Sequence, residues 1–444
     1  MPLLHTEEYA ESGREAGRRS LTTVETSDPT VLHVTAGDSG GGFVAVVREE
    51  IARLPAEGWR PDWFRAQPEG AALDVDLMLY LCATGSADAV FDPNAFRTGI
   101  GRYQRRYGDE LAAGDLVDVA ILHDPVCLPL ASYARRRART VAWRCHLGHA
   151  VPTDAATAAF QALEPYLADI DVIIFPDRSL VWPQLRSDDR VVIIQPGTDP
   201  DSAKNRTISP DLADALWAAL ATDQPLPAGN RLVRCDESTL DPETPFLLQV
   251  SRWDPIKGQA GVLAGFADLA RAVPDLELVL LGPRIAAQPR EQGVWDGLVA
   301  ARAALEPKIR RRVHVWRFAG HPRSVEDLLV NVVQRKADTV VQNSRRESFG
   351  LTVTEAMCKG AVVVGSDVEG IRLQIRHDVN GLLTPYTEGG PAWVETVHRA
   401  HTDAIGRHRW RQNAATTVRD RFTVAHAVRR QLEAFGVRDT VTAQ

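Results

Sequence analysis

The sequence lacks the features that would place it in a membrane, in a secretory pathway or on a nucleic acid. No apolar run approaches the roughly 18 residues that a membrane-spanning helix needs. The first residues are acidic and contain no apolar core, so we expect no signal peptide. The formal net charge of −7 provides no basic field for nucleic acid. We therefore expect a cytoplasmic protein that binds neither nucleic acid nor a membrane.

Cysteine is scarce, and common catalytic motifs are missing. The five cysteines are scattered and form no C-x-x-C pair, which argues against a disulfide framework and a zinc site. The G-x-S-x-G, H-E-x-x-H and P-loop patterns are also absent, which argues against common hydrolases, zinc proteases and P-loop proteins. Two D-x-D pairs, 74–76 and 169–171, do not lie beside a cationic strand end. We expect neither a metal nor a resident cofactor.

What the chain does contain is a repeated alternation of short apolar segments and helical segments. At 444 residues, with 44% hydrophobic and 25% charged residues, it is long enough for two globular domains. Continuous apolar strands between helices predict parallel sheets covered on both faces, and so an α/β fold of two Rossmann-like halves. The predicted strands are 117–122, 140–143, 172–175, 191–194, 246–250, 276–281, 313–318, 339–341 and 362–364. The predicted helices include 154–167, 261–271, 325–334 and 424–435.

A shift in composition marks the boundary between the halves. Proline, glycine, aspartate and threonine are frequent from 196 to 245. We expect a first domain over 1–225, a second over 226–420, and a C-terminal helix in 421–444 that packs back on the first domain. The polar residues 1–29 predict a loose or strand-forming extension, and 70–108 predicts irregular structure.

One strand–loop–helix segment carries two carboxylates, Glu347 and Glu355, with seven residues between them. Glu347 falls in the loop at the carboxyl end of a strand, and Glu355 a little over one turn into the helix. Between them lie the backbone amides of Phe349, Gly350 and Leu351, here called the helix tip. A helix tip attracts phosphate, so the segment suits a sugar nucleotide. The alternative is an acidic helix start that only complements the helix dipole.

Two cations follow another strand of the second half. Arg252 and Lys257 are five residues apart and lie at the carboxyl end of the strand 246–250. Arginine as a fork and lysine as a point charge can clamp a diphosphate. The alternative is a solvated loop pair that bridges Asp254.

Three features of the first half are candidates for a ligand site. Gly41 and Gly42 belong to a run of three glycines after a strand, which allows close approach to a ligand or only a tight turn. His146 follows another strand, where it can meet a sugar hydroxyl or serve as a structural histidine. Asp124 also follows a strand, where it can bind an acceptor hydroxyl or cap the next helix.

With these residues in place, the chain resembles the retaining GT-B glycosyltransferases of the E-x7-E type, glycosyltransferase family 4, and within them the trehalose glycosyltransferring synthases. The resemblance runs from about 31 to 383 and is dense in the second half. The motifs that carry it stand at 40–42, 123–125, 141–146, 196–205, 251–257, 341–357 and 370–375. It implies two Rossmann-like domains that face each other across a deep cleft.

The resemblance also implies roles for the second-half residues. Arg252 and Lys257 would hold the diphosphate of the donor, and Glu355 the hydroxyls of its ribose. Glu347 and the helix tip would hold the donor sugar and phosphate. Arg252, Lys257, Glu347 and His146 would form the catalytic group.

In the first half, the resemblance implies that His146 reaches the donor sugar near the reacting carbon, and that Gly41 and Gly42 approach the phosphates. Asp124 and His146 would contact the acceptor. The trehalose-type enzymes tend to carry an acidic residue after the histidine, whereas this chain has Leu147-Gly148-His149. This departure leaves the acceptor open.

The expected activity is transfer of a hexosyl group, glucosyl by resemblance, from a nucleoside diphosphate sugar to a sugar hydroxyl with retention. UDP, ADP and GDP remain open as the nucleotide. One alternative is a specialised-metabolite glycosyltransferase or pseudo-glycosyltransferase acting on a cyclitol or amino sugar. Others are a non-catalytic nucleotide-sugar binder and a sugar-nucleotide epimerase. The sequence leaves a homodimer open.

Overall fold

The structure is a computed structural model that describes residues 28–37, 41–86, 88–148, 151–226, 232–235, 239–285, 289–320 and 322–436. The extension predicted over 1–29 therefore lies almost wholly outside the described residues, as does Gly40.

Thirteen strands form two sheets in the described part of the chain. The strands are β1 Thr30–Thr35, β2 Arg60–Arg65, β3 Val117–His123, β4 Ala138–Arg144, β5 Val172–Phe175, β6 Val191–Ile193, β7 Leu232–Arg234, β8 Phe246–Val250, β9 Glu277–Gly282, β10 Val313–Phe318, β11 Thr339–Gln342, β12 Val363–Ser366 and β13 Leu382–Thr384.

Helices connect the strands and cover the sheets. They are α1 Gly41–Arg53, α2 Ala71–Ala83, α3 Pro93–Ala112, α4 Asp124–Cys127, α5 Ala131–Arg135, α6 Asp154–Leu163, α7 Pro210–Ala221, α8 Gln259–Ala272, α9 Pro289–Ala303, α10 Pro307–Arg310, α11 Arg323–Lys336, α12 Leu351–Cys358, α13 Glu369–Gln374, α14 Pro391–Thr402, α15 Ala404–Arg421 and α16 Val424–Ala434. Among these helices, none is long and apolar enough to cross a membrane.

The first sheet is parallel, in the order β2-β1-β3-β4-β5-β6. Successive residues of its central strands enter different apolar clusters. On β3, Ala120 and Leu122 join one cluster and Val119 and Ile121 join the other. A sheet buried on both faces explains why its central strands are continuously apolar.

The second sheet has the order β13-β12-β11-β8-β9-β10-β7, parallel except for β7 at one edge. Because β8 and β11 are neighbours, the loops that follow them meet at one edge of the sheet. Helix α7 packs in the core of this half, where Trp217 stacks on Phe246 at 4.6 Å between ring centroids. The domain boundary at 225/226 stays a prediction, and α7 lies before it.

The end of the chain returns to the first half. Helix α16 packs against α1, and its Val424 and Val428 join the apolar cluster under the first sheet. The backbone of Thr198 donates to the carbonyl of Phe422 (2.8 Å) and accepts from the amide of Val424 (3.1 Å). The segment between the halves is thus tied to the start of the last helix.

The structure confirms the α/β class and the nine predicted strands, but the prediction for 70–108 is wrong. This stretch contains helices α2 and α3. The start of α3 has a clear signal, because Asp92 caps the amide of Asn94 (2.8 Å) and Pro93 occupies the first turn. Helix α2 is apolar on most sides, so it shows little periodicity. The helix predicted over 154–167 ends at Leu163 and continues as a 3₁₀ turn.

Candidate active site

Lys257 and Glu347 are in direct contact. Lys257 ends a short 3₁₀ turn after β8, which Asp254 caps through the amide of Ile256 (3.1 Å). Its Nζ lies 2.5 Å from Oε2 of Glu347, in the loop after β11. Ser344 Oγ donates to the same oxygen at 3.2 Å. The predicted cation and the predicted carboxylate thus form one pair at the carboxyl edge of the second sheet.

The helix tip is shaped by a glycine with positive φ. Gly350 has φ 91°, and a Cβ there would lie 2.9 Å from Cγ of Glu347. Gln374 Nε2 donates to the carbonyls of Phe349 and Gly350. Within the described part of the chain, the amides of Phe349, Gly350 and Leu351 carry no hydrogen bond. Amides without a partner at the start of a helix are the arrangement that an anion site needs.

Arg252 points toward the first half. Its Nη2 donates to Oη of Tyr80 on α2 at 3.1 Å, and Tyr80 in turn donates to Oδ2 of Asp254 at 3.0 Å. Arg290 approaches the other oxygen of Asp254 at 3.3 Å. Tyr80 therefore bridges the two halves at the predicted cation site. Sequence reasoning missed Tyr80 because it lies in the stretch expected to be irregular.

Glu355 lies on α12 and is almost fully buried. One carboxylate oxygen meets Nζ of Lys204 at 2.8 Å, whereas the other is buried and has no partner among the described residues. Burial, reinforced by the charge of Glu355, raises the pKa of Glu49 on α1 to about 8. Burial lowers the pKa of Lys359, which donates to Asn205, to about 7. Lys204, in the segment after the first half, is thus a cation at Glu355 to which sequence reasoning gave no role.

His146 and Asp124 form a group on the first half. Asp124 Oδ1 accepts from the backbone amide of His146 at 2.9 Å and does not cap a helix with its side chain. Burial raises the pKa of Asp124 to about 7. Phe43 stacks on the imidazole of His146, with centroids 5.3 Å apart. Nε2 of His146 bonds to Nδ1 of His123 at 2.9 Å.

The predicted glycines lie at the start of α1, which begins at Gly41 and includes Gly42. Two turns further along the same helix, the carboxylate of Glu49 accepts from the amide of Asp199 at 3.0 Å. Helix α1 therefore connects the surroundings of His146 with those of Glu355. Lys204 lies in the motif at 196–205, but sequence reasoning gave it no role there. Glu49 has no motif that would have found it, because its role depends on how the halves meet.

The D-x-D pair on α2 lies near one of these groups, because the charge of Asp76 contributes to the raised pKa of Asp124. Asp74 and Asp76 lie on α2, and burial raises the pKa of Asp76 to about 6. Asp171 is engaged by Arg135 (2.5 Å) and by the amide of Val141 (2.8 Å). In the described ranges, no cluster of three or more metal-ligating side chains occurs.

Both halves of the chain match known families. Residues 235–417 match the model for glycosyl transferases group 1, and residues 33–181 match that for the N-terminal domain of trehalose synthase. Trehalose synthase of Thermococcus litoralis is 25% identical over 91% of this chain and 90% of its own. That of Rubrobacter xylanophilus is 28% identical over 83% and 79%.

Solved structures agree on the fold. An alpha,alpha-trehalose-phosphate synthase (UDP-forming) from Burkholderia xenovorans, solved in complex with glucose-6-phosphate, superposes with a TM-score of 0.71 at 14% identity. The match covers 92% of this chain and 100% of that one.

The fold and the family matches together define the class: the chain is a glycosyltransferase with the GT-B fold. The predicted architecture of two Rossmann-like halves is confirmed. Within that class the chain is similar to the trehalose synthases, whose N-terminal domain model matches its first half and whose listed relatives align with most of its length.

Proposed function

We propose that the chain is a retaining, metal-independent glycosyltransferase of family 4. It transfers a hexosyl group, by similarity glucosyl, from a nucleoside diphosphate sugar to a sugar hydroxyl. The observation that carries this proposal is the open helix tip beside the Lys257–Glu347 pair. Three unbonded amides next to a lysine are a site for phosphate oxygens.

Charge at this edge suits a departing diphosphate. Arg252 and Lys257 bring two cations, and the start of α12 adds about half a positive charge. Glu347 offsets part of that charge at Lys257, and Asp254 offsets part of it at Arg252, 3.9 Å away. Fixed donors aimed at the place where negative charge develops lower the barrier of a transfer reaction. Gly41 and Gly42 at the start of α1 approach the same phosphates from the first half.

Glu355 is the proposed partner of the ribose. Its second carboxylate oxygen is buried and unpartnered in the described part of the structure. A buried carboxylate oxygen without a donor is costly, so a ligand hydroxyl at this point contributes favourably to binding. Lys204 holds the other oxygen and fixes the orientation of the carboxylate.

Retention follows from attack on the face that the leaving group occupies. The acceptor hydroxyl forms the new bond to the reacting carbon as the bond to the leaving phosphate oxygen breaks, and that oxygen takes the acceptor proton. Glu347 does not act as the nucleophile in this proposal, because its Oε2 is engaged by Lys257 and Ser344. His146 contacts the donor sugar near the reacting carbon.

For the acceptor, the proposal has two candidates. The matched relatives are named trehalose synthases, which favours glucose as the acceptor. The residues after His146 differ from that type, however, and a Cβ on Gly148 would lie 2.7 Å from Cβ of Leu180. This close approach excludes a larger side chain there. A cyclitol or amino-sugar acceptor is therefore the second candidate, with Asp124 and His146 as the acceptor contacts.

The test is transfer from UDP-, ADP- and GDP-sugars to a panel of glucose, cyclitols and amino sugars, followed by mass spectrometry. We expect one donor to give a product whose new linkage keeps the donor's anomeric configuration by NMR. Lys257→Met and Glu347→Gln should each lower turnover by about 100-fold or more. Lys336→Met, which removes an ion pair with Asp214 in the same half, is the matched control and should keep full activity.

Near-normal turnover in both site variants would reject the proposal. Nucleotide binding without transfer to any acceptor would favour the non-catalytic alternative.

A further inference from the structure

Three histidines form a continuous row that ends at His146. Nδ1 of His33 lies 3.0 Å from Nε2 of His123, and Nδ1 of His123 lies 2.9 Å from Nε2 of His146. The rings are stacked, with centroids 5.2 Å apart at both steps. Each step is therefore one N–H···N hydrogen bond between parallel imidazoles.

The register of the first sheet creates this row. His33 on β1 pairs with Ile121, two residues before His123 on β3. His123 pairs with Arg144 on β4, two residues before His146. Residues two apart point to the same face of a sheet, so the three side chains share one face and step toward its carboxyl edge. The row thus links the sheet interior with the proposed sugar site.

The three imidazoles are neutral at physiological pH. Burial lowers the pKa of His33 to about 3 and holds the pKa values of His123 and His146 well below their usual range. The charge of Arg144 nearby acts in the same direction. A neutral imidazole donates from one nitrogen and accepts at the other. A row of three such rings therefore has two ordered states, with the protons all on Nδ1 or all on Nε2.

The far end of the row faces a small cavity under α16. Nε2 of His33 and Nε2 of Gln431 are buried without a partner in the described ranges, and both side chains line this cavity. The cavity has room for about one water molecule. Glu50 also lines it; each of its oxygens accepts from Nη1 of Arg144 at 2.6 Å and has a further lone pair, so a water there can donate one hydrogen to Glu50 and the other to Nε2 of His33. The amide nitrogen of Gln431 can only donate.

We propose that His33 is a positioning residue: acting through His123, it keeps the proton of His146 on Nδ1. The Nδ1–H group of His146 then donates a hydrogen bond to an oxygen of the substrate sugar. A water in the cavity accepts from Gln431 and donates to Nε2 of His33. His33 then donates from Nδ1 to His123, and His123 from Nδ1 to His146. The hydrogen bond at one ring nitrogen sets which nitrogen carries the proton. This inference deepens the proposed function, and only its statement about the sugar rests on that function.

The test reads the tautomer directly by NMR of protein labelled with ¹⁵N-histidine, because protonated and bare ring nitrogens resonate far apart. The signals of the row are assigned with single histidine variants. In the unmodified protein, His146 should be protonated on Nδ1 throughout the range from pH 6 to pH 8. In His33→Leu and Gln431→Leu, no hydrogen bond at the far end of the row selects the state with protons on Nδ1. His146 should therefore shift toward the Nε2–H form that free imidazole prefers.

Two further variants separate a positioning role from a structural one. His33→Asn keeps a side-chain amide nitrogen at the place of Nδ1 that can donate to Nε2 of His123, so it should restore the Nδ1–H form of His146. His314→Gln removes a buried strand histidine of the other half, which is bonded to Glu277 at 2.6 Å. It should lower stability without changing the signals of His146.

The rate of transfer gives a second readout. We expect kcat to fall about tenfold in His33→Leu, the equivalent of one hydrogen bond, with partial recovery in His33→Asn. An Nε2–H tautomer of His146 in the unmodified protein would overturn the inference, and this result needs no variant to fold. An unchanged tautomer in folded His33→Leu and Gln431→Leu would overturn it too. Failure of all transfer, with the tautomers as expected, would count against the proposed function alone.

Discussion

A group of residues with unusual ionisation lies where the two halves meet, around Glu355. Glu49 comes from the first half, Lys204 from the segment that follows it, and Lys359 from α12's end. Burial raises the pKa of the carboxyl of Glu49 to about 8 and lowers that of the amine of Lys359 to about 7. Near pH 7 the carboxyl of Glu49 therefore favours its neutral form, whereas the amine of Lys359 is divided between its charged and neutral forms.

The pKa of Glu49 predicts a pH dependence of stability. The folded state holds this proton up to about pH 8, whereas the unfolded chain releases it near the ordinary value of 4.5. The native state therefore binds more protons between these values, and its stability falls as pH rises from 4.5 to 8. Glu49→Gln removes this loss. Urea unfolding at pH 5 and pH 8 should show the variant gaining about 2 kcal/mol relative to the unmodified protein, from about 1.4 kcal/mol per pKa unit reduced for partial exposure.

The unmodified protein, measured at both pH values, is the reference for this gain. A constant difference between the two proteins across this range would contradict the assignment of a raised pKa to Glu49.

The individual site residues also show which roles could be predicted from the sequence alone. Glu347, Glu355, Arg252 and Lys257 were predicted together because each follows a strong strand signal at the same edge of a parallel sheet. Tyr80 could not be predicted from its neighbours, since its role comes from contacts with residues more than 170 positions away. The same limit applies to His33 and Lys204.

At the scale of elements, the turn from β11 into α12 is the most constrained part of the proposed site. The turn needs positive φ at Gly350, and the carbonyl of Glu347 accepts from the amide of Gly370 at 2.8 Å. Gln374 holds the carbonyls of Phe349 and Gly350 from α13. These bonds hold the backbone of the helix tip in place.

We predict that Gly350→Ala loses about 1–2 kcal/mol of stability, because the left-handed conformation strains a residue with a Cβ. Transfer activity should fall more steeply than stability, since the new Cβ would lie 2.9 Å from Cγ of Glu347. Urea unfolding and steady-state kinetics measure the two effects.

The matched control is Gly297→Ala on α9, where a Cβ would meet nothing within 4 Å. It should be neutral or stabilising, because alanine is the better helix former. Unchanged activity in Gly350→Ala would show that the turn does not position Glu347.

Elements also differ in how well the sequence predicted them. The strands buried on both faces were predicted because they are continuously apolar. The edge strand β2 was missed because it is half exposed and contains Pro61 and charged residues. Helix α2 was missed because an apolar helix with few polar positions shows little periodicity.

At the scale of the whole molecule, the end of the chain helps to hold the two halves together. Helix α16 follows directly on α15 of the second half, yet it buries Val424 and Val428 against the first sheet. A Cβ on Gly197 would lie 2.2 Å from the backbone of Thr423, so the connecting segment fits closely against the start of α16. The first half is therefore incomplete without the last helix.

We predict that Val428→Asp destabilises the first half by about 3 kcal/mol or more, because it places an unpaired charge in an apolar cluster. Differential scanning calorimetry should show a lower-melting transition for that half. Arg429→Asp makes a charge change on the exposed side of the same helix and should leave the transition within about 0.5 kcal/mol. Equal effects of both substitutions would argue against the packing described for α16.

The most direct test of the central claim is a crystal structure of the protein with a bound nucleoside diphosphate. The account predicts diphosphate oxygens against the amides of Phe349, Gly350 and Leu351, with Arg252 and Lys257 on their other side. It also predicts a ribose hydroxyl on the unpartnered oxygen of Glu355. A nucleotide bound away from this edge of the second sheet, or one that leaves the helix tip and Glu355 without contacts, would contradict the account.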